Sequence, residues 1–443
     1  MPKGKRKLVK CIVCGEIFDS EIDICPVCGV GREYFIPYDG EEILYRKDTQ
    51  ETFIILGNGA AGISAAEAIR ERNDTCRIII ISKEVELSYN RPLLTKKLST
   101  FHSSEEILIH QPDWYEEYQI TNCLNREIKR IDTVNNTVIL SNDEEIKYDK
   151  CIYALGAESF VPAIKGCGKK GVKVIRNLQD VKDIRALSKN AKQAVVIGGG
   201  VLGLETAWEL SKLCKVTILE AADQLMVRQL DETASGLLGN LIAKVGIDYR
   251  VGAAITEITG AEKVTGVALN NGEVFAADLV IFSCGITPNT GLAKEAGLQI
   301  GKAVEVNDKM ETNIEGIYAC GDCAECKGVN YGVWAQAIEM GKTAGANAAG
   351  EETYYDIYPP ALTFHGMKTA LFAGGDNGKL PDKDYQALEY RNDLDGNYEK
   401  FYFLENKLVG AILIGDTRKM NKVSEGLNVG CSYNYVKNNI IHD

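Results

Sequence analysis

A strand, a glycine turn, a helix and a second strand occur twice in this chain, and that duplication constrains its fold more than any other feature. Thr52-Phe53-Ile54-Ile55-Leu56 is a continuous apolar run of the buried-strand kind, followed at once by Gly57-Asn58-Gly59-Ala60-Ala61-Gly62. Ile63 to Arg72 is Ala-rich and helical, and Arg77 to Ser82 is a second buried strand leading to Glu84. The pattern returns at Gln193 to Ile197, with Gly198-Gly199-Gly200-Val201-Leu202-Gly203 opening a helix through Leu213. Lys215 to Leu219 is the next strand, ending at Glu220. In such a turn the first glycine permits the tight bend and the second lets a diphosphate approach the backbone. The third allows the helix to pack close to the strand, and the helix N-terminus faces the phosphates. A single glycine-rich match is weak, but two complete copies in strand–turn–helix–strand context are specific.

Each copy predicts a dinucleotide site. Gly57, Gly59 and Gly62 form the first, with Glu84 placed to accept from a ribose hydroxyl; Gly198, Gly200 and Gly203 form the second, with Glu220 in the same role. A carboxylate at the second strand end favours a free ribose 2′-hydroxyl and repels a 2′-phosphate. No Arg stands in Ala221-Ala222-Asp223 to receive such a phosphate, so NADH is expected over NADPH. Two sites, one domain inserted into the other, point to a flavin and a nicotinamide.

Composition narrows the class. At about 150 residues per domain, 443 residues imply two or three folded domains. With 50 Lys+Arg against 62 Asp+Glu, the net charge of −12 leaves no basic excess for nucleic acid. No uninterrupted apolar run approaches the roughly 18 residues of a membrane span. Lys3, Lys5, Arg6, Lys7 and Lys10 precede no apolar export segment, so a cytoplasmic chain with reduced thiols is expected. The basic tail reads as solvated, the alternative being a docking patch for an acidic redox partner.

Four of the 14 cysteines form a tetrathiolate set: Cys11-x-x-Cys14-Gly15 and Cys25-x-x-Cys28-Gly29. Thiolate sulfur suits zinc or iron, and the spacing does not choose between them. A zinc ribbon would staple a small module; one iron would carry an electron. The remaining ten cysteines, including Cys320, Cys323 and Cys326, read as structural.

The N-terminal segment resembles a shortened rubredoxin-like module of the rubrerythrin type, through its two cysteine pairs and the following Val30-Gly31-Arg32-Glu33-Tyr34-Phe35. The gap Glu16 to Ile24 is shorter than a full-length rubredoxin has, which leaves the metal open. Residues 51–443 resemble the flavoproteins with two dinucleotide-binding domains, the pyridine nucleotide-disulfide oxidoreductase-like family. The resemblance rests on both glycine turns and on three further motifs. Thr312-Asn313-Ile314-Glu315-Gly316-Ile317-Tyr318-Ala319-Cys320-Gly321-Asp322 looks like the strand whose terminal Asp meets the flavin ribityl chain. Tyr153-Ala154-Leu155-Gly156-Ala157 looks like the linker into the nicotinamide domain, with Leu155 in place of the usual Thr. Cys284-Gly285-Ile286-Thr287-Pro288-Asn289 looks like the return to the flavin domain.

Disulfide reductases of that family carry a cysteine pair after the first unit, and peroxidases a single cysteine. Leu87 to Lys96 contains none, which argues against a thiol relay and for outward transfer of single electrons. The same segment resembles the flavin-contact loop of reductases that serve rubredoxins and ferredoxins. By that resemblance Lys96 lies near the flavin and pairs with Glu205, the two catalytic candidates. It assigns Gly57, Gly59, Gly62, Glu84, Arg91, Lys96, Ala154, Gly156, Gly321, Asp322 and Trp334 to FAD. Gly198, Gly200, Gly203, Glu205, Glu220 and Gly285 go to NAD, and Cys11, Cys14, Cys25 and Cys28 to the metal. The alternative for Lys96 is a solvated Lys beside Lys97, and for Trp334 a plain core residue.

The expected fold is α/β: two Rossmann-like dinucleotide-binding domains, for FAD and NAD, and a C-terminal α+β interface domain, preceded by a small metal-bound rubredoxin-like module. The boundaries expected are 1–38 for the module and 39–50 for a linker, the tether running through residues 36–50 and including Pro37 and Gly40. Residues 51–157 and 284–351 form the FAD domain, 158–283 the NAD domain and 352–443 the interface domain. In the last, Met367 to Ala373, Tyr385 to Tyr390, Tyr398 to Leu404 and Leu408 to Ile414 read as strands, with a hairpin turn at Glu405-Asn406-Lys407. The resemblance implies electron flow from NADH through FAD and a tetrathiolate iron centre to a rubredoxin-, rubrerythrin- or flavodiiron-like protein or a small oxidant. Homodimerisation through the interface domain stays open. Two other readings remain: an NADH oxidase with a structural zinc ribbon, and a flavoprotein interaction or sensor module.

Overall fold

The computed structural model describes residues 8–12, 17–23, 25, 30–38, 43–357, 361–392 and 396–441. Its first piece is a three-stranded antiparallel sheet in which Leu8–Cys11 lies between Ile17–Asp19 and Phe35–Tyr38. Phe18 and Phe35 meet edge to face, ring centroids 4.9 Å apart. Pro37 pairs with Val9 inside this sheet, so it does not mark the tether; its missing N–H is tolerated on an edge strand. Gly40 lies outside the described residues. The segment that follows is tied to the body, with the Lys47 N–H on the Arg72 carbonyl at 2.9 Å and the Thr49 N–H on Asn73 Oδ1 at 3.2 Å.

Two five-stranded parallel sheets come next. In the first, the order is Ile317–Ala319, Lys150–Tyr153, Thr52–Leu56, Arg77–Ile81 and Ile120–Cys123. Apart from the edge strand Ile120–Cys123, all but the ends of these strands are buried on both faces, which is why Thr52–Leu56 and Arg77–Ile81 read as unbroken apolar runs rather than alternating ones. The helices Ala60–Arg72 and Trp334–Ala348 cross with their backbones almost touching. A Cβ on Gly341 or Gly345 would overlap the carbonyls of Ala61 and Ala65. The second sheet runs Val172–Val174, Leu279–Phe282, Gln193–Ile197, Lys215–Leu219, Asp248–Arg250. The chain crosses between the sheets at the paired strands Ala157–Ser159 and Ile286–Pro288. The first sheet therefore needs residues from both sides of the inserted domain.

The C-terminal sheet is antiparallel, in the order Leu362–Gly366, Thr369–Gly375, Lys407–Ile414, Asn397–Leu404, Gln386–Asn392. The expected strand Met367 to Ala373 is corrected: Met367 and Lys368 both have positive φ and make the turn of a hairpin, with strands on either side. The turn at Glu405 and Asn406 is as expected, both residues at positive φ as a two-residue hairpin loop requires. The period of two divides the faces of this sheet. Leu371, Ala373, Ile412 and Ile414 join the core of the second parallel sheet. Phe372, Phe401, Ala411 and Leu413 face the helices Met420–Val429 and Tyr433–Asn439 and share one cluster with Cys11, Cys25, Val30 and Tyr34. The N-terminal module is thus seated on this chain's own C-terminal sheet. Tyr34 is buried there, its hydroxyl 3.3 Å from Thr417 Oγ1. No helix among the described residues is long and apolar enough to cross a membrane.

Candidate functional site

The first turn leaves open space in front of a helix N-terminus. Gly57 has φ +107°, and a Cβ there would overlap the Ala154 carbonyl; one on Gly62 would overlap the carbonyl of Gly57. A Cβ on Gly59 would meet nothing within 4 Å, so the space in front of the helix N-terminus is open. Gly321, φ +76°, brings the strand end carrying Asp322 against Ala61. A small cavity lined by Gly321, Asp322, Asn330, Gln336 and Met340 lies at the start of the helix Trp334–Ala348. Trp334 itself is half-buried and packs on the core of the first sheet.

A network of charges surrounds this cradle. Glu84 accepts from Tyr89 Oη at 2.5 Å and pairs with Arg91. Arg91 also donates to the Arg176 carbonyl at 2.9 Å, and Arg176 Nη2 donates to Asp322 Oδ2 at 2.9 Å. Burial pushes the Glu84 carboxyl up, but the Arg91 guanidinium and the bonds from Arg91 and Tyr89 outweigh it and hold it below the usual range. Arg176 was not foreseen. It directly precedes the capping box Asn177–Asp180, and an Arg at a helix start carries no signal that it will reach back to Asp322 and lie beside Gly156.

The second turn repeats the first. Gly198 has φ +117° and abuts the Ser283 carbonyl, Gly203 abuts Gly198, and Gly200 faces open space. Gly285, φ +103°, faces open space as well. Glu220 is held differently from Glu84: it accepts from the Gly199 N–H at 2.6 Å and the Ala222 N–H at 2.8 Å.

Lys96 and Glu205 meet. Lys96 Nζ is 2.5 Å from Glu205 Oε1, and Thr95 Oγ1 donates to Glu205 Oε2 at 2.6 Å. The Glu205 side chain is 4% exposed and that of Lys96 23%. A buried carboxylate needs such partners, and here both come from the short helix Leu93–Lys96 of the loop that lacks cysteine. One turn on, Glu209 is buried too and bonds Ser99 and Lys212, so the helix Val201–Ser211 anchors the loop twice. Glu209 was not foreseen; two carboxylates four residues apart on an otherwise apolar helix are the signal that could have found it.

The thiols of the core stay protonated. Burial pushes Cys151 and Cys323 up to about 12 and Cys320 well above its ordinary value. Of the tetrathiolate set, Cys14 and Cys28 lie outside the described residues. Cys11 and Cys25 are buried side chains of one cluster, one from each pair, as a metal site between the pairs requires. Among the described residues no group of three or more metal-ligating side chains occurs.

Residues 51–343 match the family model described as pyridine nucleotide-disulphide oxidoreductase, and residues 360–429 match the rubredoxin NAD+ reductase C-terminal domain. The chain belongs to the pyridine nucleotide-disulphide oxidoreductase family. It is 37% identical over 379 residues to a nitrite reductase [NAD(P)H] of Bacillus subtilis, covering 84% of this chain and 47% of that protein. The chain spans about half the length of the first curated relatives it matches. It is 35% identical to an NADH oxidase of Methanocaldococcus jannaschii, over 70% of this chain and 73% of the other. It is 31% identical to the NADH-rubredoxin oxidoreductase of Clostridium acetobutylicum, over 86% and 96%. The solved structure of the latter superposes with a TM-score of 0.73 at 29% identity, covering 87% of this chain and 97% of that one. The two family models begin at residue 51 and residue 360, so neither reaches the N-terminal cysteines.

Proposed function

We propose that this chain carries electrons from NADH through FAD, one at a time, to an iron centre at Cys11, Cys14, Cys25 and Cys28, and from there to an external redox protein. Bound FAD supplies the chemistry of accepting a hydride and releasing the electron pair as single electrons. The chain's own residues do the rest. Gly57, Gly59 and Gly62 admit its diphosphate, with Glu84, Arg91, Gly156, Asp322 and the added Arg176 around it. Gly198, Gly200 and Gly203 admit that of NADH, with Glu220 selecting the free ribose hydroxyl. Lys96 presents a cation fixed by Glu205 where negative charge collects on the flavin.

The observation that carries the reading is the Lys96–Glu205 pair, on a loop without a cysteine. A charge-fixing pair in place of a thiol favours outward transfer over disulfide chemistry. The relative named NADH-rubredoxin oxidoreductase supports a rubredoxin-type acceptor, and the relative named NADH oxidase keeps oxygen in view as the alternative. The seat of the module on the C-terminal sheet supports delivery within one chain, since tethering raises its effective concentration.

An anaerobic absorbance titration with NADH, with metal analysis, tests this. Flavin and ferric-thiolate bands should both bleach. Zinc at the cysteines, with only flavin bleaching, would overturn the iron relay and favour the oxidase reading.

A further inference from the structure

One strand of the C-terminal sheet sends its side chains to two different tasks. On Asn397–Leu404, Phe401 and Phe403 face the cluster that seats the N-terminal module. Lys400 and Tyr402 point the other way, toward the NAD domain, as the period of two requires. There both meet one carboxylate: Lys400 Nζ and Tyr402 Oη each lie 2.6 Å from Asp231 Oδ2. Asp231 Oδ1 accepts from the Ala234 N–H at 2.7 Å and so caps the helix Glu232–Lys244. Asp231 is buried. Burial pushes its carboxyl up, but the bonds from Lys400, Tyr402 and Ala234 outweigh it and hold it below the usual range. Gly378 makes room for the Tyr402 ring, which a Cβ there would overlap.

Asp231 ends the loop that starts at Glu220, and that loop is folded onto the second glycine turn. The Met226 N–H donates to the Gly199 carbonyl at 3.0 Å, while the Gly199 N–H donates to Glu220 at 2.6 Å. Leu225 packs so close that a Cβ on Gly199 would overlap its Cδ2. The Leu225 N–H donates to Ser235 Oγ at 3.0 Å, on the helix that Asp231 caps. Gln224 Nε2 donates to the Leu230 carbonyl at 2.8 Å. A second contact comes from the C-terminal domain: Asn377 Nδ2 lies 3.4 Å and 3.3 Å from the carbonyls of Val227 and Arg228. The loop beside Glu220 is held at its near end by the glycine turn and at its far end by another domain.

We propose that Lys400 and Tyr402 are positioning residues for NADH: through Asp231 they hold residues 221–230 against the second turn, and with them Glu220 and the Gly199–Gly200 backbone that receive the ribose and diphosphate. Neither side chain touches the nucleotide, and no bond or electron is exchanged at them. The inference rests on the placing of NADH at the second turn. Removing one partner leaves a buried carboxylate that must move to find another, and the loop moves with it. The loss falls on binding, before any chemistry at the flavin.

Full-length protein with FAD bound is titrated calorimetrically with ADP-ribose, the part of NADH without its nicotinamide ring. Tyr402→Phe keeps the ring and loses one bond, and should weaken ADP-ribose severalfold. Lys400→Met should weaken it further, and Lys400→Arg should restore it. Tyr398→Phe is the control: Tyr398 shares the strand, and its buried hydroxyl has no hydrogen-bond partner among the described residues. It should bind as the wild type does. Hydrogen exchange at residues 221–230 should rise in the two weakened variants. In anaerobic stopped flow, KM for NADH should rise with the loss of affinity, while the limiting rate of flavin reduction changes little. Unchanged ADP-ribose affinity in Tyr402→Phe and Lys400→Met, with a lower thermal midpoint, would overturn the proposal and leave Asp231 a helix cap. Tyr402→Phe decides even where Lys400→Met does not fold. If Gly200→Arg binds ADP-ribose as the wild type does, the placing of NADH fails and the proposal falls with it. Binding lost in Gly200→Arg but intact in Tyr402→Phe and Lys400→Met sinks the proposal alone.

Discussion

The two glycine turns share a skeleton and differ in what holds the carboxylate beyond them. In both, the first glycine has φ above +100°, the third abuts the first, and the middle one faces open space. Yet Glu84 is gripped by side chains, Arg91 and Tyr89, within a network that reaches Arg176 and Asp322. Among the described residues, Glu220 is gripped by backbone N–H groups alone, at Gly199 and Ala222. The middle residues follow suit. Asn58 locks the first turn with its side chain, donating to the Glu86 carbonyl and accepting from Ser82, whereas Gly199 has only its N–H to offer. A site surrounded by cations and side-chain locks suits a cofactor that stays. A site of bare backbone and one anion suits a dinucleotide that comes and goes.

Substitution at matched positions sharpens this contrast most. Gly59→Arg should give a colourless protein without FAD. Gly200→Arg should stay yellow but lose NADH-driven dye reduction, read by absorbance and a dye assay. A colourless Gly200→Arg protein would break the division of labour.

Lys96→Met should come next in size. It leaves Glu205 buried without its cation, a loss of about 3–5 kcal/mol where a buried pair is broken from one side. Thermal unfolding of the apoprotein reads this, and the Glu205→Gln exchange should cost less, because Lys96 can still reach water.

Glu220→Ala should relax the preference for NADH over NADPH by about tenfold, about 1.4 kcal/mol. Glu84→Ala should weaken FAD retention and leave that preference alone, as steady-state rates with both nucleotides will report.

Acid should act on the first turn through Glu84. Its carboxyl is held low by Arg91 and Tyr89 against burial, so its contribution is present above the ordinary Glu value of about 4.3 and lost as pH falls through the lower folded value. Removing the guanidinium, as in Arg91→Ala, should move FAD release to higher pH, followed by flavin fluorescence.

Tyr34→Phe should show the smallest effect. It loses one neutral hydrogen bond, about 1 kcal/mol, and should raise exchange at residues 30–38.

What could be read beforehand was local. The two units, their strand ends and the hairpin at Glu405–Asn406 announce themselves through apolar runs, glycine spacing and turn chemistry within a few residues. The Lys96–Glu205 pair, 109 residues apart in the chain, was reachable only through resemblance. What escaped was set by contact across domains. Arg176 reaches Asp322 over 146 residues, and Tyr34 reaches Thr417 over 383. The turn at Met367–Lys368 also escaped, since two long side chains at positive φ contradict local preference and yield only to the pairing of the strands around them.

The interleaving of the first parallel sheet has a consequence for how the protein is made. Its edge strand Ile317–Ala319 pairs with Lys150–Tyr153 only after the whole inserted domain has been synthesised. During translation the insert, contiguous in the chain, can therefore close before the domain that precedes it. The N-terminal module leaves the ribosome ahead of both, yet its seat is encoded near Thr417. It must wait, tethered, until 383 further residues have been made.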